Sequence, residues 1–232
     1  MKKINISAEL VYAAAIILIS FSVAMISCTG FGVSMVVAPA YLLSLKFPEI
    51  FTFGLAEYVV QGMLMLVFCI VIRKFKIVYL TAFITCLIYG AVLDLWRLII
   101  PAFNPSVTEP GTLSFTFSLI LFVFGNLITA LSIAMFFRTY LYPQVYDLFV
   151  KGVSEFYKIN TNKFKVIYDF SSLAVSVVMT LAFFGRIEGI GLGTLAVTVV
   201  NGALIAFWCR IIDKYFVIKP TFEKFAKYFL ID

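Results

Sequence analysis

Apolar residues run along this chain in long blocks, separated by short stretches that carry charge, glycine or proline. A hydrocarbon core about 30 Å thick takes about 20 apolar residues per helix, and six blocks meet that length: 7–28, 53–72, 77–100, 113–137, 164–184 and 187–209. Two further apolar stretches, 33–46 and 144–158, are too short to cross, and they follow the first and fourth blocks. They read as re-entrant or interfacial helices. The tail, 210–232, alternates Lys and Phe and reads as an amphipathic segment on the membrane surface, dispensable for the bundle. The pattern predicts an all-α fold, a polytopic bundle of six transmembrane helices in a single integral membrane domain over 1–232. Its parts are a first three-helix half (1–104), a second (113–209) and a cytoplasmic tail (210–232).

Composition agrees. Of 232 residues, 63% are hydrophobic and only 13% charged, with mean hydropathy +1.07, whereas a soluble domain is about a quarter charged. Lipid is therefore the solvent for most of the chain. A net charge of +6 would suggest nucleic acid in a soluble protein, but the placement of the cations excludes that reading. With the N-terminus in the cytoplasm, Lys2 and Lys3, the Arg73–Lys76 turn, the 138–165 stretch and the 210–232 tail fall inside. The outer side keeps only Lys46, Arg97 and Arg186 of 18 cations. Cytoplasmic loops carry the Lys and Arg excess, so both termini are expected in the cytoplasm, with the loop from Pro101 through Pro110-Gly111 outside. An N-terminal signal peptide is disfavoured, because the first block is longer than a signal core and further spans follow. The chain has no His, and its cysteines, Cys28, Cys69, Cys86 and Cys209, stand singly in apolar runs. No metal site and no cofactor are expected.

The order of features suggests an internal repeat. A shift of 112 residues places Glu57 on Asp169, Gly90-Ala91 on Gly202-Ala203 and Trp96 on Trp208, and a shift of 110 places Ser22–Met25 on Ser132–Met135. Halves of three spans have opposite topology, which makes this a 3+3 inverted repeat. Such repeats hold binding sites near the midplane, beside interrupted helices.

Polar residues within the spans are costly unless they face the bundle interior or a wet cavity. Asp169, Ser172, Ser176 and Thr180 form one stripe, and Thr194, Thr198 and Asn201 another; Glu57 and Gln61 share a face, as do Asn126, Thr129 and Ser132. For the hydroxyls, helix–helix packing at about 0.6 kcal/mol each is the plainer reading. The ionisable residues point further. Glu57, Gln61 and Arg97 are expected to line an outward-facing cavity, with Arg97 gripping an oxyanion through its planar fork. Asp94, at i, i+3, either pairs with Arg97 or neutralises it while it snorkels. Glu57 and Asp169, matched by the repeat, are candidates for proton exchange as alternating gate carboxylates. The break at Gly30-Phe-Gly32-Val-Ser34 offers backbone N–H groups for an anion, although most such glycine pairs are simple turns. The candidate substrate-binding set is therefore Gly30, Gly32, Ser34, Glu57, Gln61, Asp94, Arg97, Asn126, Asp169, Ser172 and Asn201. The inner counterpart region holds Arg138, Pro143, Asp147, Lys165, Tyr168 and Asp169.

The Gly30–Ser34 turn after the first span, with Tyr146-Asp147-Leu-Phe-Val-Lys-Gly152-Val-Ser154 after the fourth, resembles the YczE/YitT-like family of bacterial integral membrane proteins, which are grouped with permeases. The resemblance covers most of the chain and implies a bacterial cytoplasmic membrane and a transport-like role. The family pattern carries an acid in the first-half segment, where this chain reads Ser34-Met-Val-Val-Ala-Pro39.

Two functions fit these readings. The first is a secondary transporter that moves a small anionic or zwitterionic organic solute by alternating access between the halves, alone or as a homodimer. The second is a substrate-binding subunit, like the S-components of energy-coupling-factor importers, which would partner ATPase and transmembrane coupling subunits through small residues on the first span (Ala8, Ala13, Ala14, Ala15). Nothing points to an enzyme, since no nucleophile–base pair stands at a recognisable spacing. No charge ring or carbonyl filter marks a channel.

Overall fold

The computed structural model describes residues 3–105, 107–108 and 112–229; Lys2, Pro110 and Gly111, named above, lie outside them. Among the described residues, six helices have the length and apolarity to cross a membrane: α1 (Ala8–Ser27), α3 (Phe53–Ile72), α4 (Tyr79–Ile99), α5 (Phe115–Phe136), α7 (Thr161–Phe184) and α8 (Leu192–Tyr215). The two apolar stretches too short to cross carry α2 (Ala38–Lys46) and α6 (Val145–Phe156). The all-α polytopic bundle is what the hydropathy pattern predicts.

Local chemistry explains the boundaries. Ser7, Thr52 and Asn160 cap α1, α3 and α7 by accepting the backbone N–H of Leu10, Leu55 and Lys163. Arg73 and Gly185 end α3 and α7 in the left-handed region. The last span differs most from expectation. It begins at Leu192 rather than 187 and runs on to Tyr215, because residues 186–191 form a connection tied down on both sides. Thr180 Oγ1 donates to the carbonyls of Arg186 and Glu188 and accepts from the Glu188 N–H, while the Gly189 carbonyl accepts from the Val33 N–H.

The tail is not a free surface segment. Residues Phe216–Lys219 (β2) pair in parallel with Ile4–Ser7 (β1), and the Thr221 N–H bonds the Glu9 carboxylate at 3.1 Å. Phe229 then packs on Tyr140 and Tyr142. At the same end Arg138 grips Asp213 through two bonds of 2.6 Å, joining the exit of α5 to α8.

Helices α1 and α5 form the central antiparallel pair. Ser22 and Thr129 share a hydroxyl bond of 2.8 Å, Tyr12 packs edge-on against Phe136, and Ile26 lies against Gly125 in the middle of α5. The first half of α5 therefore extends past the end of α1. Around this pair the packing follows an exchange of halves. Helix α1 packs on α4 as α5 does on α8; α2 packs on α7 as α6 does on α3; and α2 lies on α3 as α6 does on α7.

The loops obey the same exchange. The chain leaves α1 and α5 through the same succession of turn and extended residues. The Val33 carbonyl accepts from Thr194 Oγ1 on α8, and the Tyr142 carbonyl accepts from Thr85 Oγ1 on α4. Both members of this double pair are offset by 109 residues, a register that neither 112 nor 110 reveals.

The α3–α4 contact breaks the exchange most. Helices α3 and α4 touch backbone to backbone at Gly54 and Gly90, where a Cβ on Gly54 would strike the Gly90 carbonyl. Helices α7 and α8, their counterparts, pack little on each other and are the least buried spans. A Cβ on Gly202 would meet nothing within 4 Å.

Candidate functional site

The gap between α7 and α8 borders a cavity of about 540 Å³. Its walls come from α1, α5, α6, α7, α8 and the loop after α1, so both halves contribute. That volume suits a small organic ligand. The wall is mostly apolar, with polar groups at a few positions. Asn126 and Thr129 come from α5, Thr198 and Asn201 from α8, and Gln144, Tyr146 and Asp147 from the start of α6. Tyr89 closes one side from α4, and Lys165, Tyr168 and Asp169 enter from α7.

Helix α6 reaches this depth because its first turn is held by the middle of α3. The Val145 N–H, an end group with no partner within its own helix, donates to Gln61 Oε1 at 3.2 Å. Gln61 Nε2 donates to Glu57 Oε2 at 2.9 Å and to Gln144 Oε1 at 3.3 Å. Tyr146 donates its hydroxyl to the same Glu57 Oε2 at 2.9 Å. Glu57 is wholly buried, and its Oε1 has no hydrogen-bond partner among the described residues. It stands directly behind the cavity wall, one hydroxyl away from the lumen through Tyr146.

Three charged side chains face the cavity: Asp147, Lys165 and Asp169. Lys165 and Asp169 pair at 3.4 Å, one turn apart on α7. Asp147, in the first turn of α6, makes no hydrogen bond or ion pair among the described residues. Burial pushes its carboxyl above the ordinary carboxylate range, Lys165 pulls it down, and Asp169 adds to the rise.

The expected site residues separate into three groups. Gly32, Ser34, Asn126, Asp169 and Asn201 line the cavity. Glu57 and Gln61 form the network behind it. Gly30, Asp94, Arg97 and Ser172 lie outside its lining. Gly30 has positive φ and serves the turn, and the Ser172 carbonyl accepts from Ser176 Oγ within α7.

The outward-facing Glu57–Gln61–Arg97 cavity is corrected by the geometry. Arg97 donates from Nε to the Phe103 carbonyl at 3.2 Å and stacks over the Phe53 ring, so it clamps the turn after α4. Asp94 does not pair with it. Its carboxylate accepts from Thr52 Oγ1 at 2.5 Å and from the Gly54 N–H at 2.9 Å, which secures the start of α3. The glycine turn is likewise committed to packing. Gly32, at φ +92°, sits where a Cβ would come within 2.6 Å of the Gly191 nitrogen, and the Val33 N–H and carbonyl are both bonded to the segment that opens α8.

Gln144, Asn162 and Tyr89 also line the cavity without having been singled out from the sequence. Gln144 and Asn162 stand beside helix starts and read as turn residues, and Tyr89 reads as one more aromatic of an apolar span. Their one legible signal is proximity to marked residues, Gln144 next to the Tyr-Asp pair and Asn162 one turn before Lys165.

No curated protein and no solved structure matches the chain. The profile of DUF6198, a family of unknown function, matches residues 6–210, which takes in all six spans up to the last turn of α8 together with both short helices. By that match the chain belongs to the DUF6198 family.

Proposed function

We propose that this membrane protein is a secondary transporter for a small organic solute, working by alternating access between its two halves. The observation that carries the reading is the unequal closure of two similarly packed halves. Helices α3 and α4 are sealed at Gly54 and Gly90, while α7 and α8 stand apart over a cavity walled by both halves. Exchanging the two arrangements would close the α7–α8 gap and part α3 from α4, the motion expected of inverted repeats. The cation excess lies at the α7 entrance side, so the state described faces the cytoplasm. Glu57 is the proton-exchange candidate, since Tyr146 links it to the lumen. The resemblance to the YczE/YitT-like family of bacterial integral membrane proteins supports the same role.

The binding-subunit reading asks for a small-residue docking face on α1. Ala8 and Ala15 are buried inside the bundle, whereas Ala13 faces outward, so the four alanines do not form one free face. A single cysteine at Asn201, in a background with Cys28, Cys69, Cys86 and Cys209 replaced by alanine, separates the two. A membrane-impermeant thiol reagent applied to inside-out and right-side-out vesicles is expected to label it from both faces. Labelling from one face only would overturn the transporter and leave the one-sided pocket of a binding subunit.

A further inference from the structure

We infer that the cavity takes a solute carrying an ammonium group, cationic or zwitterionic, with Asp147 as its counter-charge. The inference rests on the transporter reading and sharpens it, because the charge inventory of the cavity is unequal. Two carboxylates face one ammonium, and the Lys165 ammonium is already held by Asp169 on its own helix. Asp147 is left facing the lumen, half-buried and without a hydrogen-bond partner among the described residues. A carboxylate so placed is costly unless something pairs with it, and the cavity supplies the space for that partner.

The surroundings suit a cation. Tyr89, Tyr146 and Tyr168 line the same cavity, and tyrosine rings attract ammonium groups through their quadrupole. Gln144 and Asn201 add amide oxygens that accept from an N–H. An anionic solute has less to hold it. Among the described residues Lys165 is the one cationic side chain in the lining and is shared with Asp169, while Arg97 is spent on the Phe103 carbonyl outside the lining. A zwitterion fits if its carboxylate meets Lys165 while its ammonium meets Asp147. The helix dipole of α6 also favours a negative charge at Asp147, so a structural role is the rival explanation.

Titration calorimetry on the full chain in lipid nanodiscs separates the two, with butylammonium, 4-aminobutyrate and tetramethylammonium as probes and butyrate as the matched anion. At least one amine is expected to bind and butyrate to bind more weakly. Asp147→Asn, which keeps the shape of the first turn, is expected to weaken amine binding about tenfold or more, and Asp147→Glu to recover part of it. Butyrate binding as well as the amines, amine binding unchanged in Asp147→Asn, or no heat from any amine would each overturn the inference. Those results leave the transporter reading standing, since it falls only with one-sided labelling at Asn201→Cys.

Discussion

At the scale of single residues, burial alone does not separate the chemistry of this bundle from its architecture. Glu57 and Arg97 are both buried in their spans, yet their partners assign them different work. Glu57 keeps one oxygen unpartnered among the described residues and the other tied to a hydroxyl on the cavity wall. Replacing it with Gln preserves shape and an acceptor for Tyr146, so Glu57→Gln is expected to fold normally and to flatten the pH profile of solute uptake in proteoliposomes. A profile that keeps its wild-type slope would remove Glu57 from proton coupling. Arg97 has its guanidinium on the Phe103 carbonyl and the Phe53 ring, and Arg97→Gln loses both. That variant is expected to melt earlier in detergent, by a free energy of about 1–3 kcal/mol, with solute affinity unchanged. Thermal melting and calorimetry on the same preparation check the two halves of that statement. In the sequence both residues appear as ionisable groups in apolar spans. The difference lies in contacts from elsewhere in the chain: a tyrosine on α6 for Glu57, and for Arg97 a carbonyl beyond the end of its own helix.

At the scale of elements, lengths and order follow from hydropathy because lipid imposes its thickness on each span separately. The span over 53–72 has the bounds read from the sequence, and α6 and α2 fall within the short stretches marked as too brief to cross. The start of α8 moved because Thr180 and Val33 hold the preceding connection, and such long-range bonds leave no local periodicity. Helix pairs offer a contrast that can be measured. Gly54 has no room for a methyl group against Gly90 and Asp94, while Gly202 faces open space. Gly54→Ala is expected to lower stability by about 1–3 kcal/mol, and Gly202→Ala to leave it unchanged or raise it by up to about 1 kcal/mol. Equal effects at the two sites would mean that the α3–α4 and α7–α8 pairs are equally closed.

At the scale of the whole molecule, the two ends of the chain are joined across the bundle. The β1–β2 pair and the Thr221–Glu9 bond fasten the tail to β1 and the start of α1, and Phe229 on Tyr140 and Tyr142 fastens it to the loop between α5 and α6. That loop leads directly into Gln144, Tyr146 and Asp147. Removing residues from Lys219 onward is therefore expected to lower the melting temperature and to weaken amine binding, without loss of membrane insertion. Melting and binding equal to the intact chain would show that the tail lies free. The repeat reading had its support in the order of features, and the packing follows the exchange of halves that it implies, although the Thr85 and Thr194 pair sits at an offset of 109 rather than 112.

The sequence by itself determined what lipid tests one segment at a time: six spans, two short helices, and the residue types too costly to leave in hydrocarbon without a purpose. Tertiary structure alone decided which of those residues share a space. The start of α6 meets Gln61 from 84 positions away, the glycine turn is taken up by α8, and the opening lies between α7 and α8. Those outcomes depend on side chains meeting across the bundle and on how closely two helix backbones approach, and neither is encoded in the period of any single helix.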